Sequence, residues 1–226
     1  MKKLLFLLVF IPSLIFAQEN TKGFVINGKV AGLTDGEVKI TNTQQDHSII
    51  ASGLLKDGSF QVTGIIPEPG LYFLVMGNEQ PQYIFLENNP ITITGEKTNI
   101  KNIKIEGSQS HKDFMEFNRV FNPLIGELNS IAAGIQKEAN EKKRDVMIRQ
   151  YDSVVSIVNT EVGKFVSARK SSYVSPFLLW VTGQLSTDPV VMEQRFNMLD
   201  ENIQNSQIGK SLSEFIAYNK VGAIGT

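Results

Sequence analysis

ITITGEKTNIKNIKIEGSQSHKDFMEFNRVF (residues 91–121) holds the point at which the chain changes its period. Ile91 and Ile93 alternate with Thr92 and Thr94, as side chains do on the two faces of a strand. From Phe114 the apolar residues step by three and four instead: Phe114, Phe117, Phe121, Leu124, Leu128, Ile131, Ile135. That spacing puts one stripe on one side of a helix. The change falls near residue 108, with strands before it and helices after it.

Working back from the change, short apolar stretches recur at 24–30, 37–41, 48–55, 59–63, 71–76, 82–86, 91–94 and 100–105. A spacing near ten residues marks an antiparallel sandwich or barrel. Phe24, Ile26 and Gly28 share one face; Val25, Asn27 and Lys29 share the other. Asp57-Gly58 reads as a two-residue hairpin turn, because both residue types accept positive φ. Asp35-Gly36 carries the same signal. Pro67 and Pro69 mark a strand-free crossing, and Glu87-Asn88-Asn89-Pro90 a loop.

Working forward, Ile148, Tyr151, Val155, Val158, Val162 and Phe165 form a second seam. Only Ala139 interrupts the polar run 137–145 between the seams, which implies an antiparallel helical hairpin. Ser110 to Asp113 offers an N-cap oxygen and a first-turn acid, and Pro123 should kink the first helix. Three shorter helices follow: one opened by Ser175-Pro176, one by Asp188-Pro189, and one from about 206 to 219. Residues 221–226 read as an extended, Gly-rich segment. The fold expected is therefore α+β: an N-terminal antiparallel β-sandwich, then a helical hairpin and short helices.

The first residues bear on compartment. Lys2 and Lys3 precede an apolar run at 4–16, then the small Ala17 and the polar Gln18-Glu19-Asn20. This is the order of a secretory signal, assigned to 1–17 with cleavage after Ala17. The run is too short to span a bilayer, which takes about 20 residues. Export to the periplasm or outer cell envelope is expected.

Composition excludes several chemistries. With no Cys in the sequence there is no thiol nucleophile, CxxC pair or thiolate metal site. With 22 basic against 23 acidic residues, no nucleic-acid partner is expected. The two histidines, His47 and His111, lack the further ligands a metal site needs. Asp46, His47 and Ser48 are sequence neighbours, so on a strand they point to opposite faces and form no relay. Glu68, Glu79 and Glu87 lie in or near loops and could line one rim, though exposed loop acids are the default. Tyr72, Phe73, Tyr83 and Phe85 could stack a ligand, but strand-spaced aromatics more often pack a core. No catalytic, cofactor-binding or metal residue is assigned, no cofactor is implied, and the chain is expected not to be an enzyme by itself.

The β-half carries Gly58-x-Phe60, Gly64-x-Ile66-x-x-Pro69-x-x-Tyr72-x-Leu74, Phe85-Leu86-Glu87, Ile91-x-Ile93-x-Gly95 and Ile105-Glu106-Gly107-Ser108. This series resembles the N-terminal domain of unknown function 4369. That domain commonly precedes a thioredoxin-like domain in envelope thiol:disulfide oxidoreductases of the TlpA/AhpC-TSA type. The resemblance implies a β-sandwich domain at 22–107, a helical linker domain at 108–220, and the start of a missing thioredoxin-like domain at 221–226. It implies a non-catalytic front portion that positions a thioredoxin-like catalytic domain or chain, its partner. The alternative is a self-standing envelope module that binds a glycan, peptide or lipid. The helical seams could also pair two copies into a homodimer.

Overall fold

The computed structural model of the chain describes residues 23–43, 46–185 and 188–224. The signal-peptide reading of 1–17 lies outside them. The architecture is α+β, with all strands preceding the long helices. β1 (Phe24–Ala31), β2 (Gly36–Asn42), β3 (Ile49–Lys56), β4 (Ser59–Gly64), β5 (Gly70–Met76), β6 (Gln82–Leu86), β7 (Pro90–Glu96) and β8 (Lys104–Glu106) correspond to the eight apolar stretches. The last is shorter than expected, because Ile100 falls in a 3-10 segment, Lys97–Asn102.

The strands form one curled sheet in the order β6-β5-β2-β3-β4-β1-β7-β8. Its inner face closes over a single core in which Ile26, Val38, Ile40, Val62, Leu74, Ile84 and Ile93 are fully buried. One ladder departs from the antiparallel expectation: β1 and β7 run parallel, with Ile26 beside Ile91 and Gly28 beside Ile93. Gly28 also faces Phe60 across the β1–β4 ladder. A Cβ there would sit 2.0 Å from the Phe60 ring, so only glycine leaves the ring its place over β1.

The hairpin at Asp57-Gly58 forms as read, with φ of 49° and 72° and Lys56 paired to Ser59. Asp35-Gly36 makes no hairpin, since β1 and β2 are not neighbours in the sheet. Asp35 instead accepts a 2.8 Å hydrogen bond from the Asp57 amide and braces the other turn.

The helices are α1 (Gln109–Lys137), α2 (Glu141–Ala168), α3 (Val174–Thr182), α4 (Pro189–Asn197), α5 (Glu201–Gln204) and α6 (Gln207–Ile224). α1 and α2 form the expected hairpin, and α1 continues through Pro123 as one helix. The seams meet inside the single chain, with Phe121, Leu128, Val158, Val162 and Phe165 buried. Val154 and Val166 complete the α2 stripe, while Val155 is half-buried and Ile148 exposed. A straight helix turns every 3.6 residues, so a stripe extrapolated at 3.5 drifts off the contact line.

Several helix ends differ from the expectation. Only Glu138 to Asn140 connect the hairpin, and the charged residues after them form the first turns of α2. α1 is capped by Ser108, not Ser110, and Asp113 lies beyond its first turn. α3 begins at Val174 with no side-chain cap, and the Ser175 hydroxyl donates back to the Arg169 carbonyl at 2.6 Å. Asp188 and Pro189 open α4 as read, the Asp188 carboxylate accepting from the Val190 amide at 2.8 Å. α6 runs on through Ile224, where an extended Gly-rich segment was expected from Val221.

Candidate functional site

Strand β6 lies at one end of the sheet, yet its backbone is engaged at Phe85. The Phe85 amide donates to His111 Nδ1 at 3.2 Å, and its carbonyl accepts from Ser108 Oγ at 3.0 Å. Ser108 Oγ in turn accepts from the His111 amide, the N-cap bond of α1. The first turn of α1 is thereby pinned to the sheet edge and blocks that point of the edge against another strand. His111 is buried, and burial pushes its imidazole down to about 4. A nitrogen that accepts an amide proton must itself be unprotonated, which agrees with that direction.

The loop acids have structural work. Glu87 accepts from the Gln109 amide at 3.1 Å, from the Ser110 amide at 2.9 Å, and from the Ser110 hydroxyl. Glu68 accepts from the Gln207 amide with both oxygens, at 2.8 and 3.0 Å. Each carboxylate thus sits on the positive end of a helix, Glu87 on α1 and Glu68 on α6. Glu79 pairs with Lys97 at 3.0 Å. Burial first, then the charges of Glu68 and Glu87, push the Tyr173 phenol up, so these two acids act on one residue while Glu79 is held by Lys97.

The aromatic side chains divide. Phe85 packs among Phe114 and Phe177 in the helical core, with ring centroids 6.0 and 6.3 Å away. Tyr83 stacks on Phe73 at 4.9 Å, and Phe73 meets the exposed His47 ring at 5.6 Å. Asp46 and Ser48 join a local turn: the Ser48 amide donates to Asp46 Oδ1, and Asn42 Nδ2 donates to Ser48 Oγ.

Tyr72 lies elsewhere, in a cleft of about 440 Å³ where the Pro67–Glu68–Pro69 crossing and the start of β5 face α3 and α6. Trp180 and Phe177 come from α3; Gln207 and Ser211 come from α6. Burial first, and the nearby Glu68 charge second, push the Tyr72 phenol up, so it stays a neutral hydroxyl. Mixed apolar walls with a few converging polar groups, at a junction between two parts of a chain, are the usual form of a small-ligand site. Trp180 was not singled out by sequence reasoning; its place on an apolar helix reads as core, yet it is 45% exposed. Among the described residues there is no cluster of three metal-ligating side chains, and no helix is long and apolar enough to cross a membrane.

Residues 24–114 match the family described as Domain of unknown function (DUF4369). The match ends inside α1, past Ser108, His111 and Phe114, the residues that tie this helix to β6. No curated protein and no solved structure matches the chain.

Proposed function

We propose that this chain is the non-catalytic N-terminal portion of an exported thioredoxin-like thiol:disulfide oxidoreductase, working as a positioning or interaction module. The domain at 24–114 supports the reading, because its residues resemble the domain that commonly precedes such catalytic domains. The observation that carries the positioning role is the pinned junction. Phe85, His111, Glu87 and Glu68 tie sheet and helices into one packed body, so anything held by the helices keeps a fixed place relative to the sheet. Disulfide exchange begins with thiolate attack, and this sequence has no Cys to supply one, so the redox step belongs to a further domain or a separate chain.

The test joins a thioredoxin-like CxxC domain, taken from the coding sequence following or adjoining this one, to the chain and follows reduction of a disulfide substrate. Turnover by the joined protein and none by this chain alone is the expected result. An unrelated neighbouring sequence, with no CxxC chain co-purifying, overturns the reading. Export is checked by the mass of envelope material, which should begin at Gln18. The cleft at Tyr72 and Trp180 favours a second reading, an envelope module that binds a ligand itself.

A further inference from the structure

The Tyr72–Trp180 cleft has a composition that selects among ligand chemistries. Trp180 is the only tryptophan in the chain, and it lines the cleft while 45% exposed. The hydroxyls of Thr43, Tyr72 and Ser211 and the side-chain amide of Gln207 line it too. None of these four side chains makes a hydrogen bond among the described residues. Among the described residues Glu68 is the one carboxylate lining it, and both its oxygens already accept from the Gln207 amide at the head of α6. The helix end offsets that charge. Among the described residues, no Lys, Arg or His lines the cleft.

These features exclude as well as select. An anionic ligand would find no cation among the described residues, and a cationic peptide would find a single carboxylate, already bonded to the head of α6. An acyl chain would strip water from several hydroxyls without replacing their hydrogen bonds. A ring with an apolar C–H face and a rim of hydroxyls satisfies both halves of the lining. Its polarised C–H bonds meet the electron-rich face of an indole, and its hydroxyls meet neutral donors and acceptors. The volume of about 440 Å³ falls within the range of small-ligand sites, roughly 300–1,000 Å³.

We propose that this cleft binds a short neutral glycan, with Trp180 as the stacking surface and Tyr72, Gln207 and Ser211 reading ring hydroxyls. The proposal rests on the second reading, that the chain binds a ligand itself, and is independent of the thiol-redox reading. The lone tryptophan makes the test direct. Cellobiose, maltose and N,N′-diacetylchitobiose are titrated to about 10 mM against the full chain while Trp180 fluorescence is followed. Sialyllactose, trilysine and laurate form the comparison arms. Saturable binding of at least one neutral disaccharide is expected. By calorimetry, Trp180→Ala and Ser211→Ala should each weaken it about fivefold or more, while Lys142→Ala leaves it unchanged. Unaltered melting of the Ser211→Ala protein separates lost binding from lost folding. Binding of trilysine, sialyllactose or laurate alone overturns the neutral glycan and keeps a binding module. No binding by any probe overturns both. Disaccharide binding that survives both substitutions unchanged places the site elsewhere and overturns the proposal.

Discussion

The sheet and the helical bundle each bury a core, but they arrive at it differently. The inner face of the sheet is made from residues that alternate locally, and the Asp57-Gly58 turn takes its positive φ from its own two residues, with Asp35 as a brace. The bundle depends on residues far away in sequence. α1 is held by Glu87 and by the Phe85 backbone, α6 by Glu68, and its core includes Phe85 from strand β6. Local chemistry decides the first region; partners supplied by that region decide where parts of the second begin.

The strongest way to break this contrast is to remove the residue both regions use. Phe85→Ala should cost about 3–5 kcal/mol, the usual range for deleting a buried aromatic ring. Because Phe85 belongs to the helical core while lying in the sheet, strand and helix signals should be lost together in one transition. Two separate transitions would show that the halves fold independently. Leu128→Ala, deep in the hairpin seam, should cost about 2–5 kcal/mol. Its melting should not depend on protein concentration, since the seam closes within one chain. Concentration dependence would instead favour a homodimer through the seams.

Acid should loosen the same joint. His111 is pushed down to about 4 in the folded chain, against an ordinary value of 6.5. In that window the unfolded chain takes up a proton that the folded chain refuses. Stability is therefore complete above about pH 6.5 and falls as the pH drops towards 4, by about 3 kcal/mol for this group. Urea midpoints measured across the window check it, with His111→Leu as the reference. The variant starts less stable, having lost the acceptor for the Phe85 amide, but should lack this part of the slope. An identical slope in both proteins would mean that other groups carry the acid sensitivity.

These dependences explain what could be read in advance. The eight strand segments were legible because Ile91-Thr92-Ile93-Thr94 and its counterparts state their own period. The curl of the sheet and the parallel β1–β7 pair were not, because strand order is a property of contacts between distant segments. The hairpin was legible from its two stripes, but the cap of α1 was misplaced. Ser110 looks like a cap in sequence; Ser108 is the cap because its hydroxyl also reaches the Phe85 carbonyl. The roles of Glu68 and Glu87 left no local signal, since their partners lie 139 and 23 residues away. The cleft was equally hidden, because it joins Tyr72 to Trp180 and Ser211 only after both regions have packed.

A smaller effect sharpens the contrast at the α1 entry. Glu87→Gln keeps the size but removes the charge that four donors share, three of them at the head of α1. A partly buried carboxylate at a helix N-terminus contributes about 1–2 kcal/mol, so the melting temperature should fall modestly. The change should exceed that for Glu79→Gln, whose carboxylate serves a single Lys97 pair and caps no helix. Equal effects would mean that the helix end gains nothing from the sheet.

The smallest effects locate the far end of the hairpin, where the sheet supplies nothing and local chemistry should decide again. Asn140 caps α2 by accepting from the Lys143 amide at 3.1 Å. Lys142 lies in the first turn of the same helix, exposed, with its positive charge near the positive end of the helix dipole. Asn140→Ala should therefore cost about 1 kcal/mol through the lost cap. Lys142→Ala removes an unfavourable charge and installs the best helix former, so it should leave stability unchanged or raise it by up to about 0.5 kcal/mol. The two substitutions stand two residues apart and are expected to differ in sign. Paired thermal melts at low ionic strength, where charge at a helix end is least screened, decide the matter. If both variants melt lower by the same amount, α2 does not start at Glu141, and the tip is a longer polar connector of the kind the run 137–145 suggests.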